Sequence, residues 1–522
     1  MYPAIEFLLH SGGRVYPEER RTQFYCISLF KNEVFMKKII SALPVIFITL
    51  VSQAQNIMGN WEGNITLQGN QIPIVFHISK DSSNKLVASF DSPSQHAFNL
   101  PCNEVIIKED SVILMMAVLK GKYEGLLSAD KKQISGTWYQ GGGSLPLTVN
   151  KTSETATVKE LKRPQTPKPP YPYLSEDVVY FNADKTIQYG ATITYPKPNT
   201  DGTAIISYAK PPLYPAVILI TGSGQQDRDE TILGHKSFAI IADYLTKKGF
   251  LVLRIDDRGI GKTTGNFATS TTAGFEKDVE AGLDFLEKQP QVNKQKIGLI
   301  GHSEGGMIAP VVASKRSEIK FIVLLAGPGI PTVDLMAEQT EAVSKSYGAP
   351  PATVKASGDL YRIVAKEINK TADKELVQKN IMIKINEWAK TADTSIVRAL
   401  GFADTAIINK NIASQVQALS SPWFKYFLAF NPQVYLQKLN CKVLALNGSK
   451  DVQVISKTNL AGIKSSLQKS KSPKFDVIEI PGLNHLFQTC IKCNPAEYGD
   501  LEESFSPKAL EIIGNWLQKN VN

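Results

Sequence analysis

From residue 214 onward the chain alternates short runs that are apolar at every position with longer runs that are apolar only at helical spacing. Residues 217–221 (VILIT) and 251–255 are of the first kind; 238–248 is amphipathic, and Phe275, Val279, Leu283 and Leu286 recur every three or four residues. A strand apolar on both sides must be covered on both faces, and a helix between two such strands is the connection a parallel sheet requires. Further strands are predicted at 297–300, 321–326, 443–446 and 475–480, with a closing helix over 507–519. The fold class is therefore α/β, a mostly parallel sheet with helices on both faces. In such sheets the active site lies at the carboxyl ends of the strands.

Roughly 110 residues separate positions 326 and 442, where about 2 to 6 is usual for a sheet connection. Helix-compatible patterns over 335–347, 374–388 and 407–419 make this insertion, about 327–440, a helical cap over the strand ends. A cap there shapes a substrate pocket and excludes water.

Upstream, KRPQTPKPPYPY at 162–173 places five prolines in twelve residues and reads as an extended linker, 156–176. Residues 177–195 read as a hairpin with Gly190 near its centre. Residues 56–155 carry short alternating runs separated by Asn, Asp, Gly and Ser turns, the pattern of a small all-β domain. Gly59-Asn60-Trp61 near its start is echoed by Gly136-Thr137-Trp138 near its end. That spacing is similar to lipocalin-like accessory domains, whose tryptophan rings plug a small closed barrel. Such a module anchors or shields its neighbour, or else binds a ligand inside the barrel.

The first 55 residues contain an address label. Met36-Lys37-Lys38, the apolar run 39–51 and Ser52-Gln53-Ala54 form a charged region, a hydrophobic region and a small-x-small cleavage site. A bilayer span needs about 20 residues, so the run reads as a signal peptide (36–55) and not a membrane helix. Residues 1–35, which mix Arg14, Arg20 and Arg21 with Glu6, Glu18 and Glu19, read as an upstream extension with Met36 as the true start. The expected location is periplasmic or extracellular, without a stable membrane anchor. Lys and Arg exceed Asp and Glu by 58 to 49, but the densest basic patch is Lys469, Lys471 and Lys474, which indicates a solvated surface and no nucleic-acid partner.

The chemistry concentrates at Gly301-His302-Ser303-Glu304-Gly305-Gly306, which follows one predicted strand and precedes a helical run over 307–313. Strand, tight turn and helix are the context a nucleophile elbow requires. A serine hydroxyl attacks only when a base takes its proton. His485 is the one histidine after Ser303, in the loop beyond the last strand. Of seven aspartates between them, five fall in the cap (334, 359, 373, 393, 404) and Asp476 lies inside a strand. Asp451, just past strand 443–446, remains as the carboxylate that orients the imidazole. The oxyanion needs two backbone N–H donors. Glu304 supplies one, and the loop 221–229 the other, with Ser223 chosen ahead of Gly224 and Gln225. Arg228, between Asp227 and Asp229, reads as a residue that holds the loop's shape.

These motifs resemble those of the α/β-hydrolase superfamily, and more narrowly bacterial exported carboxylesterases. The resemblance covers residues 177–522 and rests on the elbow, the G-S-G-x-Q-D-R-D loop at 222–229, the D-R-G-x-G loop at 257–261 and S-P-W-F at 421–424. It implies hydrolysis of a small-molecule carboxylic ester through an acyl-enzyme, with no metal or organic cofactor. It also implies a substrate pocket that includes Gln225, Trp423 and Phe424.

Three other patterns fall short. Gly261-Lys262-Thr263 lacks the glycine a phosphate-binding loop needs at 256, and Gly222-Ser223-Gly224 lacks the third glycine of a dinucleotide fingerprint at 227. Cys490 and Cys493 have metal-like spacing without a second pair. In an oxidising compartment they form a local disulfide or pair with Cys102 or Cys441; otherwise they stay as thiols. Two rival functions stay open: a serine peptidase for short peptides, for which Glu338 and Glu341 would recognise an amino terminus, and an inactive glycan- or surface-binding protein.

Overall fold

The computed structural model describes residues 57–67, 70–81, 83–92, 97–119, 121–140, 143–152, 162–197, 212–402 and 405–521. The signal-peptide pattern and the upstream extension lie outside these. The chain divides into two compact units between residues 160 and 161.

The first unit is a meander of nine antiparallel strands: β1 (Gly59–Leu67), β2 (Asn70–Lys80), β3 (Leu86–Ser92), β4 (Ala97–Cys102), β5 (Glu104–Lys108), β6 (Ser111–Met116), β7 (Gly121–Leu127), β8 (Gln133–Gln140) and β9 (Gly143–Thr152). β1 pairs with both β2 and β9, so the sheet curls on itself in the order 4-3-2-1-9-8-7-6-5. Its edges β4 and β5 are joined by Asn103 alone, and among the described residues no β4–β5 ladder closes the barrel-like sheet.

Alternation fills the inside: Trp61, Phe76, Phe90, Tyr123 and Trp138 are buried together. Each fully buried large apolar side chain contributes about 1.5 to 3 kcal/mol. Both tryptophans belong to this core, and the Trp138 ring packs 5.8 Å from Phe90 and 6.3 Å from Phe76. Trp61 donates its indole N–H to Ile57 O (2.8 Å).

The second unit is built on an eight-stranded sheet: β10 (Tyr173–Phe181), β11 (Gln188–Pro196), β12 (Tyr214–Ile220), β15 (Leu251–Ile255), β16 (Val292–His302), β17 (Ile319–Leu325), β18 (Lys442–Gly448) and β19 (Phe475–Ile480). Its order is 10-11-15-12-16-17-18-19. The ladders are antiparallel through β10, β11 and β15, and parallel from β15 onward. A two-residue hairpin, β13 (Thr231–Ile232) and β14 (His235–Lys236), stands apart. Gly190 sits inside β11, and the hairpin turns at 182–187 instead.

The apolar strand residues sort by parity. Ala216, Ile218 and Ile220 face a core shared with α2 (Thr272–Leu286), α3 (Gly305–Lys315) and α11 (Ser456–Leu467). Val217 and Leu219 face the opposite core, shared with α1 (Ser237–Lys247) and α12 (Pro507–Val521). Period-two alternation between two apolar layers is why these strands read as continuous hydrophobic runs.

Between β17 and β18 the cap contains α4 (Thr332–Ser346), α5 (Pro351–Ile368), α6 (Lys374–Thr391), α7 (Thr394–Ala399), α8 (Thr405–Leu419), α9 (Pro422–Leu428) and α10 (Gln433–Leu436). It has its own core, centred on Leu360, Val364, Ile381 and Ile412. Among the described residues no helix is long and apolar enough to cross a membrane.

Candidate active site

Four loops at the carboxyl ends of the parallel strands converge. Ser303 follows β16 with φ +53°, the left-handed region that side chains rarely occupy. The turn closes only because its neighbours are glycines: a Cβ on Gly301 would lie 2.1 Å from Gly305 O, and one on Gly305 would lie 2.2 Å from Ile220 O. The strained turn holds the hydroxyl out at the head of α3.

Ser303 Oγ lies 3.1 Å from His485 Nε2, and His485 Nδ1 lies 2.8 Å from Asp451 Oδ2. The other Asp451 oxygen accepts the amides of Gln453 (2.7 Å) and Val454 (2.9 Å), which fixes the carboxylate's rotation. Asp451 and His485 are both buried. With Asp451 accepting from Nδ1–H, Nε2 is left to take the serine proton. The structure therefore brings together the three residues expected from 182 positions of sequence separation.

The amides expected to hold an oxyanion belong to Glu304 and Ser223. Glu304 lies at the head of α3, where helix N–H groups point outward and favour negative charge. The Gly222 amide is already taken, donating to Glu230 Oε1 (2.9 Å), so the next residue, Ser223, is the first on its loop whose amide can serve.

That loop is held by charge. Arg228 grips Asp256 with two guanidinium nitrogens (3.0 and 2.6 Å) and reaches Asp177 (3.0 Å) and Thr192 (2.8 Å). Asp257 accepts from the Thr221 hydroxyl (2.9 Å) and the Gln226 amide (2.8 Å). Asp229 pairs with Arg254 and Lys236. Gln225 is exposed and donates to Arg258 O (2.6 Å), which ties the two loop motifs together. Trp423 donates its indole N–H to Glu304 Oε1 (2.9 Å), beside the nucleophile. Phe424 packs instead against the cap core.

Two residues of the site were not singled out in the sequence. Glu230, buried and at φ +51°, accepts through Oε1 from Gly222 and from His302 Nδ1 (2.9 Å). His302 Nε2 donates to His485 O (3.0 Å). Both ring nitrogens thus face acceptors. Burial opposes a charge on this ring, but the Glu230 carboxylate outweighs it and holds the His302 pKa above its ordinary value. The pair links the oxyanion loop, the elbow and the histidine loop. The signals were adjacency alone: Glu230 follows the D-R-D motif and His302 is the elbow's variable position.

Cys490 and Cys493 form a disulfide, while Cys102 and Cys441 are free and buried. Glu497 lies near the disulfide sulfurs, but its carboxylate accepts the amides of Ile491, Lys492 and Cys493. Those contacts fit a loop anchor and leave little of the carboxylate for a metal.

Sheet order, elbow and convergent strand-end loops define an α/β-hydrolase. Residues 277–421 match the family described as BAAT / Acyl-CoA thioester hydrolase C terminal. The chain is 34% identical over 159 residues to Esterase EstD of Thermotoga maritima, an alignment covering 30% of this chain and 37% of that protein. It is 32% identical over 82 residues to an uncharacterized Escherichia coli protein, covering 16% of this chain and 29% of the other. It thus spans about a third of the length of the curated relatives it matches. The solved esterase Pf2001 of Pyrococcus furiosus superposes with a TM-score of 0.39 at 15% identity, over 69% of this chain and 97% of that one. The second unit is accordingly an α/β-hydrolase that resembles esterases in sequence.

Proposed function

We propose that the second unit hydrolyses carboxylic esters through an acyl-enzyme on Ser303, His485 and Asp451. Ser303 Oγ attacks the ester carbonyl carbon while its proton passes to His485 Nε2. The carbonyl oxygen becomes an oxyanion held by the Glu304 and Ser223 amides. The C–O bond to the alcohol then breaks, and His485 returns the proton to the departing oxygen. Water next attacks the acyl-enzyme, gives its proton to His485 and releases the acid as Ser303 is reprotonated. Asp451 holds the ring in the competent tautomer and stabilises the imidazolium. The single observation that carries this reading is the unbroken chain from Ser303 Oγ to His485 to Asp451 at 3.1 and 2.8 Å.

The peptidase alternative loses support from the partners of its expected recognition residues: Glu338 accepts from Thr458 (2.5 Å), and Glu341 pairs with Arg362 (3.1 Å). Export is part of the proposal. It rests on the pattern over 36–54 and is supported by a disulfide, which persists in oxidising compartments. The proposal involves no nucleic-acid partner and no stable membrane anchor.

The test is turnover by residues 56–522 of p-nitrophenyl esters from acetate to octanoate, beside aminoacyl p-nitroanilides and acyl-CoA thioesters. Oxygen esters are expected to have the highest kcat/KM, with the chain-length optimum reporting the pocket. Turnover of anilides alone would transfer the site to peptides, and of thioesters alone to acyl-CoA.

A further inference from the structure

Ester hydrolysis as proposed uses the backbone of Glu304 but not its side chain, and that side chain has an unusual setting. Its carboxyl is buried directly after the nucleophile. One oxygen, Oε1, accepts from two elements at once: the Thr272 hydroxyl at the start of α2 (2.6 Å) and the Trp423 indole at the start of α9 (2.9 Å). Trp423 stacks on Phe427 at 4.9 Å. It also packs against the cluster containing Met307 of α3 and Leu335 of α4. The cap and α2 are thus tied to the residue after the nucleophile at one atom, beside the apolar cluster that joins the cap to α3.

We propose that Glu304 is a positioning residue, whose carboxyl seats cap helix α9 on the elbow and so couples cap placement to the oxyanion amide of the same residue. This deepens the esterase reading and rests on it. Burial pushes the Glu304 carboxyl up to about 7, against the two donors that favour its ionised form. The acidic groups that line the same space are Asp257 beyond β15, which burial likewise pushes up to about 7 with the Glu304 and Asp278 charges adding to the shift, and Asp278 of α2, which is paired with Arg258. Between them is a cavity of about 40 Å3, also lined by Gly222, Phe267 and Phe275. It has room for water but not for a substrate, so the acids that line it interact across little solvent. A carboxyl raised that far gains its charge around neutrality, and the carboxylate form strengthens the bond from the Trp423 indole while disfavouring a second negative charge at the amide of the same residue. The cap contact and the oxyanion site therefore respond in opposite senses to one titration.

Two readouts test this, one of them independent of catalysis. With 15N-tryptophan labelling the chain gives one indole signal for each of its five tryptophans, and the signal missing in Trp423→Phe identifies Trp423. Its resonance should move with a midpoint near neutrality in the native protein and stay still in Glu304→Gln. In ester hydrolysis, Glu304→Ala and Trp423→Phe should each lower kcat/KM about tenfold, and the double variant should fall no further than the worse single one. Glu304→Gln, which keeps an accepting oxygen, should restore most of the loss and remove the alkaline decline of kcat. An indole signal that ignores pH, or that still titrates in Glu304→Gln, overturns the proposal; so do additive losses. If the native protein turns over no ester, the resonance alone decides whether the tie exists, and the failure belongs to the esterase reading.

Discussion

Asp451→Asn is expected to lower kcat on a p-nitrophenyl ester about 10⁴-fold near neutral pH, with KM little changed. The asparagine oxygen can keep the bonds from the Gln453 and Val454 amides, so the loop should retain its shape. Its amide nitrogen would then face His485 Nδ1, which Asp451 now approaches at 2.8 Å. A donor in that place forces Nδ1 to accept and leaves the proton on Nε2, the nitrogen that must take the Ser303 proton. Substrate binding does not depend on that tautomer, and so the loss belongs in kcat. A fall in kcat of less than about tenfold would mean that Asp451 does not orient the base.

Arg228→Met is expected to destabilise the second unit by about 3 kcal/mol, measured as the shift in its thermal or denaturant transition. The side chain of Asp256 is 5% exposed and is paired through two Arg228 nitrogens. Removing the guanidinium leaves that charge buried without its partner, which costs more than the pair itself contributes. Adding Asp256→Asn should therefore recover part of the loss, and a double variant that shows the full sum of both losses would contradict this. Since the same guanidinium shapes the 221–229 loop, kcat should fall as well, because a displaced Ser223 amide no longer meets the oxyanion.

The parts of this site that were legible in the sequence were those specified by local chemistry. The elbow is legible because strained φ at Ser303 and close packing at Gly301 and Gly305 allow few residue types, and that requirement is written in six consecutive positions. His485 and Asp451 followed by elimination, since strand ends are where a parallel sheet presents its functional groups. Arg228 does brace its loop, but through Asp256 and Asp177 and not through the aspartates that flank it in sequence.

What the sequence hid depends on tertiary contact. Glu230 is one acidic residue after an acidic motif until the loop folds and brings His302 and Gly222 to the same oxygen. The Glu304 side chain is likewise uninformative until the cap delivers Trp423 from 119 positions away. Phe424 and Trp423 are adjacent on a short helix and point to different cores, which a motif cannot distinguish. The cap helix α5 was not anticipated, because Thr, Ser and Gly in PATVKASGDLYRIVAKEI weaken its helical signal and only packing through Leu360, Val364 and Ile368 makes up for it.

The central claim is that Ser303 is an activated nucleophile, and covalent labelling tests it most directly without knowledge of the substrate. Intact mass and peptide mapping after exposure to a fluorophosphonate at pH 7.5 should show one adduct per chain, on Ser303, absent in Ser303→Ala and strongly slowed in His485→Ala. A folded protein that stays unlabelled, or an adduct on another serine, would contradict the account.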